Sequence, residues 1–598
     1  AASTLRELRC EVSTRCGAMC PLRSLDAALF LLVRFLVPLC LGVAAVDKNQ
    51  SGVSDLGSLM ECLRMGMATV VAQGDAAYEF ARLCKNRATE IEPWPLAVAR
   101  VRSVEEVQEA VRCVAASRLE ACARAGAHGF GNDGGCSGGV VIDVQDLLSL
   151  EVDADTDMVQ FGAGNTLGQL YYKLHGSHGL AVAGGSVSGV GAAGLFLGCG
   201  RGLLTQLKGL ACDTTLGIEY VDAHGKVQIA DTTSNADMYW MARGGGGNFP
   251  GIVTKFTVQA FKAPERLYAI DCEVSSQWGR ALMRSWLGRL EDMVQPQRRV
   301  FTHITVWGRV NFKLSNICID CDAEQRAWFE ETVLGVAHAA KHDAHCYNYT
   351  QTWIEQLLFE SGMHEGMIEN RPEALLDRDQ GWGAKGLLAN KNGGHMLYEY
   401  NMSEALMDTL LEWTFGEKAL KDRPYGHGLI LYPMGGPKVE EVPVDAAAYG
   451  PRSAKLILHY KHQWSPDGSG EQAVMLQHHE DMARAFDAHL PCKGFFNYID
   501  NTKPCAKTNE EWLAAHFHNV SRMRQIKVEA DPKGVFRSRL SKPNLELRPP
   551  RSTTLRLVST TTSPRDWRQC ASHPACSGLI GNCCPSNNGS TLNCCNLI

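Results

Sequence analysis

The sequence has no excess of positive charge. Its 59 lysine and arginine residues are outnumbered by 65 aspartate and glutamate residues, which gives a formal net charge of −6. A surface that binds nucleic acid needs a concentration of basic residues, so this composition argues against a DNA or RNA partner. Internal repeats are also absent, and 598 residues exceed what one compact core holds. We therefore expect two large domains with appendages.

Long apolar runs are scarce, and the most apolar one lies at residues 27–46. Basic residues precede this run, and the small residues 43–45 offer a cleavage site at its end. That order is typical of a secretory signal peptide, so we assign residues 1–45 to a leader. Arg34 and Pro38 interrupt the run, which argues against a stable membrane span. A membrane anchor is the alternative interpretation.

Cysteine is not scarce, and six of the 23 cysteines are concentrated in residues 570–598. This tail has almost no aliphatic core, so we expect a small knot stapled by disulfides. A metal site is the alternative, but adjacent Cys-Cys pairs suit tetrahedral ligation poorly, and we assign no metal. Residues 541–569, rich in Ser, Thr and Pro, are interpreted as a linker to the tail. The isolated pair Cys318 and Cys321 is either a disulfide or two free core cysteines.

Five Asn-x-Ser/Thr sequons accompany these features. They begin at Asn49, Asn348, Asn401, Asn519 and Asn588. Such triplets also arise by chance, but a secretory compartment permits their glycosylation. The leader, the cysteines and the sequons together predict a secreted, disulfide-bonded glycoprotein.

Three glycine-rich segments divide a region of strand-like sequence. Residues 124–131 place one histidine, His128, among minimal side chains, and residues 184–202 and 242–254 form the second and third segments. Glycine allows backbone N–H groups to approach a phosphate closely, so three such loops suit one extended ligand such as a dinucleotide. A Rossmann fold is excluded, because residues 198–202 do not open a clear βαβ unit with an acidic residue about twenty positions further on.

Local patterns predict several elements. Residues 97–101 read as a strand, and Ser103 with Glu106 forms a capping box at the start of an amphipathic helix. Further strands are expected at residues 140–144, 218–222, 267–274, 301–306 and 456–460. Further helices are expected at residues 325–340, 402–414 and 471–489.

In this order, the segments resemble those of the berberine bridge enzyme-like FAD-linked oxidases, in the vanillyl-alcohol oxidase or PCMH-type FAD-binding superfamily. Arg124-x-Gly-x-His128 resembles that family's Arg-x-Gly-Gly-His, with Ala127 in place of a glycine. Val190-Gly-x-x-Gly194 and Gly198-x-Gly-x-Gly202 resemble its inner flavin loop. Phe496-Asn-Tyr-Ile-Asp500 resembles part of its closing segment. The resemblance covers roughly residues 60–545.

The resemblance implies an α+β fold. It consists of a two-part PCMH-type FAD-binding domain with an inserted α+β substrate domain, an antiparallel sheet covered by helices on one face. We place the first part of the FAD-binding domain at residues 60–262, the substrate domain at 263–494, and the return to the FAD-binding domain at 495–540.

The resemblance also implies FAD as the cofactor, bonded covalently through the imidazole of His128. A neutral imidazole is a competent nucleophile near neutral pH, and the flanking glycines let a flavin edge approach it. The positions that match the family's cofactor-binding segments are Arg124, Gly126, Ala127, His128, Gly129, Phe130, Gly131, Val190, Gly191, Gly194, Gly198, Gly200, Gly202, Asp213, Gly251, Ile252, Val253 and Asn497.

One feature of many family members is missing. The cysteine that forms their second bond to the flavin corresponds here to Val187, which cannot form it. Cys199 is a substitute without geometric support, so we expect a single covalent link. Val190 matches a position beside the oxygen approach to the flavin, where valine is associated with oxidase behaviour. Simple packing of the loop is the alternative role of Val190.

Tyr498 matches the tyrosine that serves as catalytic base in several relatives. An unperturbed tyrosine phenol has a pKa near 10, and burial alone raises that pKa further. To act as a base, Tyr498 therefore needs a nearby cation. The candidates are Arg452, Lys461, His459 and His462, among which the sequence does not choose. The alternative is that Tyr498 is a core aromatic residue in a strand.

The implied reaction is hydride transfer from a small hydroxylated substrate to FAD, with Tyr498 accepting the hydroxyl proton. A carbohydrate is the first choice of substrate, and an alcohol or a secondary metabolite is the alternative. Molecular oxygen is the expected acceptor, giving hydrogen peroxide. Three other interpretations stay open: a dehydrogenase with another acceptor, an inactive flavin-fold binding protein, and a disulfide-rich surface protein.

Overall fold

The computed structural model describes residues 52–85, 92–307, 311–362, 371–379, 389–420, 426–465 and 471–541. The chain divides into two compact units, residues 1–58 and 59–598. The first unit is described only for the initial residues of helix α1 (Gly52–Gly66). The expected leader, the tail and the linker beyond Ser541 lie outside the described residues. Among the described helices, none has the length and apolar character needed to cross a membrane.

The first sheet of the larger unit combines parallel and antiparallel strands. Its elements are β1 (Thr69–Ala72), α2 (Tyr78–Arg82), β2 (Ala97–Arg100), α3 (Val104–Ala116), β3 (Ala121–Arg124) and β4 (Val140–Asp143). The strand order is β1-β2-β4-β3. Strands β2, β4 and β3 are parallel, and β1 is antiparallel to β2. Every residue of β4 is buried, as expected for a parallel strand covered on both faces.

Helix α3 confirms the predicted apolar face, but only half of the predicted capping box. Ser103 Oγ accepts a hydrogen bond from the backbone N–H of Glu106 at 3.3 Å. The Glu106 carboxylate accepts from the backbone N–H of Arg102, not from that of Ser103. The carboxylate still satisfies a free donor at the helix start, so the cap is displaced by one residue and not lost.

The second sheet is wholly antiparallel. The elements in this part of the chain are β5 (Leu150–Asp153), β6 (Met158–Gly162), α4 (Leu167–His178), β7 (Leu180–Ala181), α5 (Ala192–Leu197), α6 (Thr205–Lys208), β8 (Thr215–Val221), β9 (Val227–Asp231), α7 (Ala236–Ala242), β10 (Ile252–Gln259) and β11 (Phe261–Lys262). The strand order is β5-β6-β10-β8-β9, and β7 pairs separately with β11.

The third sheet is antiparallel and has seven strands. Its region contains β12 (Leu267–Ser275), α8 (Gly279–Met293), β13 (Val300–Trp307), β14 (Asn311–Ile319), α9 (Ala323–Ala337), β15 (Ala344–Gln351), α10 (Trp353–Glu360), β16 (Ala389–Leu397), α11 (Glu404–Thr414), β17 (His427–Pro433), α12 (Pro437–Glu440), β18 (Leu456–Trp464) and α13 (Glu471–Asp487). The strand order is β15-β12-β14-β13-β17-β18-β16. The strands and helices predicted here are confirmed, although α9 ends at Ala337 and continues as a 3₁₀ helix (His338–Asp343).

The two faces of this seven-stranded sheet are chemically different. On one face, alternate residues such as Leu314 and Leu458 share an apolar cluster with residues of helices α8, α9, α11 and α13. On the other face, Ala269 and Ile317 belong to the cluster that includes the first two sheets. The period-two alternation of a strand produces this division. The helices therefore cover one face, as the α+β prediction requires, and leave the opposite face for a site.

The last described segment returns to the first sheet after helices α14 (Asn509–His516) and α15 (Val520–Ala530). The backbone of Ala121 in β3 donates to Val535 O at 2.7 Å and accepts from Arg537 N at 2.9 Å. On the way, the chain forms a short 3₁₀ helix, Phe496–Tyr498. The return fixes this short helix against the rest of the fold.

Gly126 and Gly191 bring the first two glycine-rich loops into backbone contact. A Cβ added to Gly126 would lie 2.1 Å from Gly191 N, and one added to Gly191 would lie 2.3 Å from Gly126 N. Both neighbours are backbone atoms of other loops, so no side chain can turn away to make room. Glycine at both positions is therefore a steric requirement of the fold.

We expect Gly126→Ala to lower the free energy of unfolding by at least about 2 kcal/mol, because overpacking against a fixed backbone forces the two loops apart. Gly176→Ala is the matched control. Gly176 lies exposed in α4 with nothing within 4 Å of the added Cβ, so its substitution should stabilise the protein by about 0.5–1 kcal/mol. Thermal unfolding measures both, and equal midpoints for the two variants would contradict the steric argument.

Candidate active site

The closing segment touches both of the first two glycine-rich loops through asparagine side chains. Asn497 Nδ2 donates to Gly198 O at 3.2 Å, and Asn501 Nδ2 donates to Gly131 O at 3.0 Å. The third loop meets the same segment, since a Cβ on Gly246 would lie 2.2 Å from the Phe496 ring. The structure thus brings together the glycine-rich segments and the closing motif, which are separated by hundreds of residues in sequence.

Arg124 anchors the loop that carries His128. Its Nε and Nη2 donate to Asp143 Oδ2 at 3.0 and 2.7 Å, and its Nη1 donates to Ala81 O at 2.7 Å. Both side chains of the ion pair are buried. The guanidinium is therefore engaged within the protein, at the carboxyl ends of the parallel strands β3 and β4.

Ala127 adopts the backbone conformation that explains the glycine of the family motif. Its φ is +54°, in the left-handed region where a non-glycine residue is uncommon. The backbone N–H of Lys85 donates to Ala127 O at 2.9 Å and helps to hold this conformation. The tight turn places the next residue, His128, at the centre of the loop.

His128 is held as a neutral imidazole. Its ring is half-buried, and enclosure by the protein, with smaller contributions from Lys85 and Lys461, lowers its pKa to about 3. A neutral ring retains a nucleophilic nitrogen lone pair at every pH above that value. The loop therefore presents the form of histidine that could bond to an electrophilic carbon.

Tyr498 lies in an aromatic cluster at the polar face of the seven-stranded sheet, the face that the helices do not cover. Its ring stacks on His459 with a centroid distance of 4.2 Å and an interplanar angle of 7°. The ring centroids of Phe130 and Tyr432 lie 6.2 and 6.1 Å from that of Tyr498. Tyr498 belongs to a 3₁₀ helix and not to a strand. The alternative interpretation, which placed it in a strand, is therefore wrong about its secondary structure.

Among the four candidate cations, the structure separates Lys461 from the others. Arg452 donates to Asp213 Oδ2 at 2.8 Å, in a buried ion pair. His462 contacts His478 and His479 at 2.7 and 3.0 Å, on the helix-covered face of the sheet. Burial, with Lys461 and His479, lowers the pKa of His459 to about 3, so His459 is neutral.

Lys461 lies two residues from His459 along β18, on the same face of the sheet as Tyr498. Its Nζ is 5.6 Å from the centroid of the Phe130 ring. Burial lowers its pKa to about 8, so the ammonium form still predominates at neutral pH. Lys461 is thus the charged member of the four candidates that shares the environment of Phe130 and Tyr498.

Sequence reasoning missed Arg201. Its guanidinium lies over the Tyr432 ring, with Cζ 4.2 Å from the centroid, and only 7% of the residue is exposed. The signal was present, because Arg201 is the one charged residue between positions 184 and 202. A charge placed in a run of small residues is difficult to interpret until its neighbours in the fold are known.

Cys199 does not substitute for the missing flavin cysteine. It forms a disulfide with Cys212, and its side chain is fully buried. Val187 therefore remains without a nearby replacement in this loop. Cys318 and Cys321 also form a disulfide, which settles the alternative left open by their spacing.

The other predicted cofactor residues lie around the same loops. Val190 O accepts from Leu167 N at 2.8 Å, and Gly202 packs so closely that an added Cβ would meet Gly184 O at 1.8 Å. Ile252 and Val253 begin β10 and are buried, directly after Gly251. That these positions contact the cofactor stays a prediction.

Three positions leave open backbone surface between the loops. Gly129, Gly194 and Gly247 are exposed, although none of the residues directly beside them in sequence is exposed. Among the described residues, a Cβ on Gly194 would meet no atom within 4 Å, and one on Gly247 would meet only Asp133 Cβ at 3.9 Å. Open glycine surface beside a neutral histidine and an aromatic cluster fits a flat, extended ligand such as FAD.

Comparison with known proteins agrees with this geometry. Residues 95–231 match the family model described as the FAD binding domain, so FAD is the cofactor. The carbohydrate oxidase of Microdochium nivale is 23% identical over 512 residues, covering 83% of this chain and 97% of that protein. The glucooligosaccharide oxidase of Sarocladium strictum is 32% identical over 203 residues, covering 34% of this chain and 40% of that protein.

The fold is also that of a solved relative. Berberine bridge enzyme from Eschscholzia californica superimposes with a TM-score of 0.69 at 19% sequence identity, covering 82% of this chain and 99% of that one. The α+β arrangement implied by the sequence motifs is thereby confirmed. The chain is an FAD-linked oxidoreductase, and its fold resembles that of berberine bridge enzyme.

Proposed function

We propose that this chain oxidises a hydroxyl-bearing carbon of a small carbohydrate, with FAD bonded covalently to His128 and Tyr498 acting as the catalytic base. The observation that carries the proposal is the cluster of Phe130, Tyr498 and His459, because Phe130 follows His128 by two residues in the same loop. This cluster lies at the polar face of the seven-stranded sheet, where a substrate can meet the flavin. The named carbohydrate-oxidising relatives support the choice of substrate class.

The neutral state of His128 supports the covalent link. Attack on the flavin methyl carbon needs an imidazole nitrogen with a free lone pair, and the lowered pKa keeps the ring in that form. A link through histidine alone agrees with Val187 and with the disulfide of Cys199. Covalent attachment would also prevent loss of the cofactor outside the cell.

The surroundings of Tyr498 support its proposed role as the base. Its ring is held by stacking on His459, which is itself fixed by a 3.1 Å contact between its Nε2 and Asn392 Oδ1. The phenol oxygen would take the substrate hydroxyl proton while the bound FAD supplies the hydride acceptor. Lys461 contributes a positive charge on the same face of the sheet, beside the Phe130 ring. His459 therefore orients the base, and Lys461 is the cation proposed to assist it.

The sheet face around Tyr498 is unusually polar for a domain interior. His303, His459 and Lys461 project from it, and Asn392 joins them from β16. Several neutral donors and acceptors on one buried face suit a ligand with many hydroxyl groups, because each buried polar group needs a partner. This composition favours a carbohydrate over an apolar alcohol.

Molecular oxygen is the proposed acceptor, and the proposed location is extracellular. Six disulfides join cysteines of the described chain, which is typical of an oxidising compartment. Outside the cell, oxygen is readily available to reoxidise the flavin. Val190 lies in the loop that contacts Gly126, in agreement with a position beside the flavin.

We expect His128→Ala to fold and yet release its flavin when the protein is precipitated with acid. The link needs the imidazole nitrogen, whereas the loop backbone does not. Absorbance of the pellet and of the supernatant near the flavin maximum measures the partition. His224→Ala, which changes an exposed histidine of the same domain, should keep a yellow pellet. A yellow pellet from His128→Ala would show that another residue carries the link.

We expect Tyr498→Phe to slow flavin reduction by about 10²–10⁴-fold, the range for loss of a general base, with little change in substrate affinity. Phenylalanine keeps the stacking on His459 and removes only the hydroxyl. Stopped-flow bleaching of the flavin separates the two effects. Tyr268→Phe, a buried tyrosine on the helix-covered face, should reduce at the parent rate. Reduction of the Tyr498→Phe flavin at the parent rate would remove Tyr498 from the chemistry.

We expect one molecule of oxygen to be consumed, and one of hydrogen peroxide to be formed, for each substrate molecule oxidised. An oxygen electrode combined with a peroxide assay measures both quantities. If the reduced flavin instead persists in air and is reoxidised by an added quinone, the chain is a dehydrogenase. That outcome would leave the roles of His128 and Tyr498 unchanged.

A further inference from the structure

Arg201 is a buried charge, and two of its guanidinium nitrogens are unpartnered in the described structure. Only 7% of the residue is exposed, and its Nε and Nη2 atoms have no hydrogen-bond partner among the described residues. It forms no ion pair with any carboxylate in the described part of the chain. A buried cation without a counter-charge is strongly unfavourable, so such a group marks a site that an anion completes.

The two unpartnered atoms form one side of the guanidinium. Nε–H and Nη2–H point in the same direction and match the two oxygens of a carboxylate. This protein uses the same edge elsewhere: Arg100 Nε and Nη2 donate to the two carboxylate oxygens of Asp146, both at 2.6 Å. Arg298 contacts Asp292 in the same way, at 2.9 and 3.1 Å. This edge of Arg201 therefore has the geometry of a carboxylate receptor.

Aromatic rings fix the orientation of Arg201. Its Cζ lies 4.2 Å from the centroid of Tyr432 and 5.6 Å from that of Phe301, so the rings meet the guanidinium and help to hold it in place. Tyr432 is in turn 6.1 Å from Tyr498. The Tyr432 ring thus lies between the guanidinium and the ring of the proposed base, in contact with both.

The neighbouring groups do not supply the missing negative charge. His303 lies 5.4 Å from the Tyr432 ring, and burial, with Arg201, lowers its pKa to about 3, so it is neutral. Burial raises the pKa of Tyr432, which disfavours a phenolate there. Glu360 is occupied by hydrogen bonds from Ser186 and Gln356, and burial raises its pKa. Within the described ranges no carboxylate therefore neutralises Arg201, and a bound anion is the counter-charge that we consider.

We propose that Arg201 binds a carboxylate of the substrate, so that the site prefers an acidic sugar of the uronic-acid type to its neutral counterpart. The proposal deepens the proposed function, and it rests on that function in taking the ligand to be a hydroxylated sugar. The carboxylate is bound and not transformed. Arg201 would therefore act as a specificity determinant, setting which end of the substrate faces away from Tyr498.

A binding experiment on the flavin-loaded wild-type protein tests the proposal without any turnover. The probes are two matched pairs, D-glucuronate with D-glucose and benzoate with benzamide, titrated by calorimetry and by thermal shift. A fully desolvated ion pair predicts that each carboxylate binds about tenfold or more tightly than its neutral partner. Equal binding within either pair, or binding of neither carboxylate, would overturn the proposal.

Variants of Arg201 test whether this residue causes the preference for carboxylates. Arg201→Gln should abolish the preference for carboxylates, and Arg201→Lys should retain part of it, because lysine keeps the charge and loses the paired donors. Arg100→Gln is the control, since its carboxylate partner is Asp146 and its loss should leave the preference unchanged. Flavin content and the unfolding midpoint report whether each variant is folded. An undiminished preference in Arg201→Gln would place the anion site elsewhere.

A separate measurement distinguishes a partner of the flavin from a partner of the substrate. Sulfite adds to flavins more tightly when positive charge lies beside them, so its affinity is measured in the ligand-free wild type and in Arg201→Gln. Unchanged sulfite affinity with lost carboxylate preference supports the proposal. Weakened sulfite binding with the preference intact would assign Arg201 to the flavin instead. Carboxylate preference in a protein that oxidises no sugar would refute the proposed function and not the binding site.

Discussion

The close approach of glycine backbones is the constraint on which the rest of the site depends. Gly126 and Gly191 leave no space for a side chain between the first two loops, and Gly246 lies equally close to the Phe496 ring. These contacts hold His128 beside the segment that carries Tyr498. Because backbone atoms cannot turn away as side chains do, the loops are fixed relative to one another before any ligand binds. Such rigidity suits a cofactor that must meet both histidine and substrate.

The seven-stranded sheet keeps polar groups inside a stable domain by dividing its two faces. Its helix-covered face is mainly apolar and supplies packing, although it also carries His462. The opposite face carries His303, His459 and Lys461. Burial keeps both histidines neutral and leaves the charges on Lys461 and Arg201. A face with few charges and many neutral donors discriminates by hydrogen bonding, and a single buried cation on it exerts a large effect.

Much of the architecture could be predicted from local pattern. The strands from Val140–Asp143 onward are short apolar runs between turns, and α3 shows helical spacing after an N-cap residue. The ends of the helices were not predicted to the residue. The cap of α3 is displaced to Arg102, and α9 ends earlier than expected. Competing hydrogen-bond partners near a helix end have similar energies, so the sequence does not select among them.

By itself, the sequence determined the order of the motifs and the family that they resemble. It also identified His128 as the candidate for the flavin link and Tyr498 as the candidate base. Each of these signals lies within a few neighbouring residues, so it can be recognised without the fold. It could not choose Lys461 over Arg452, exclude Cys199 as a flavin ligand, or recognise the role of Arg201. Those answers depend on Asp213, Cys212 and Tyr432. The electrostatic environment of a buried group is set by its neighbours in space, and only the tertiary structure brings those neighbours together.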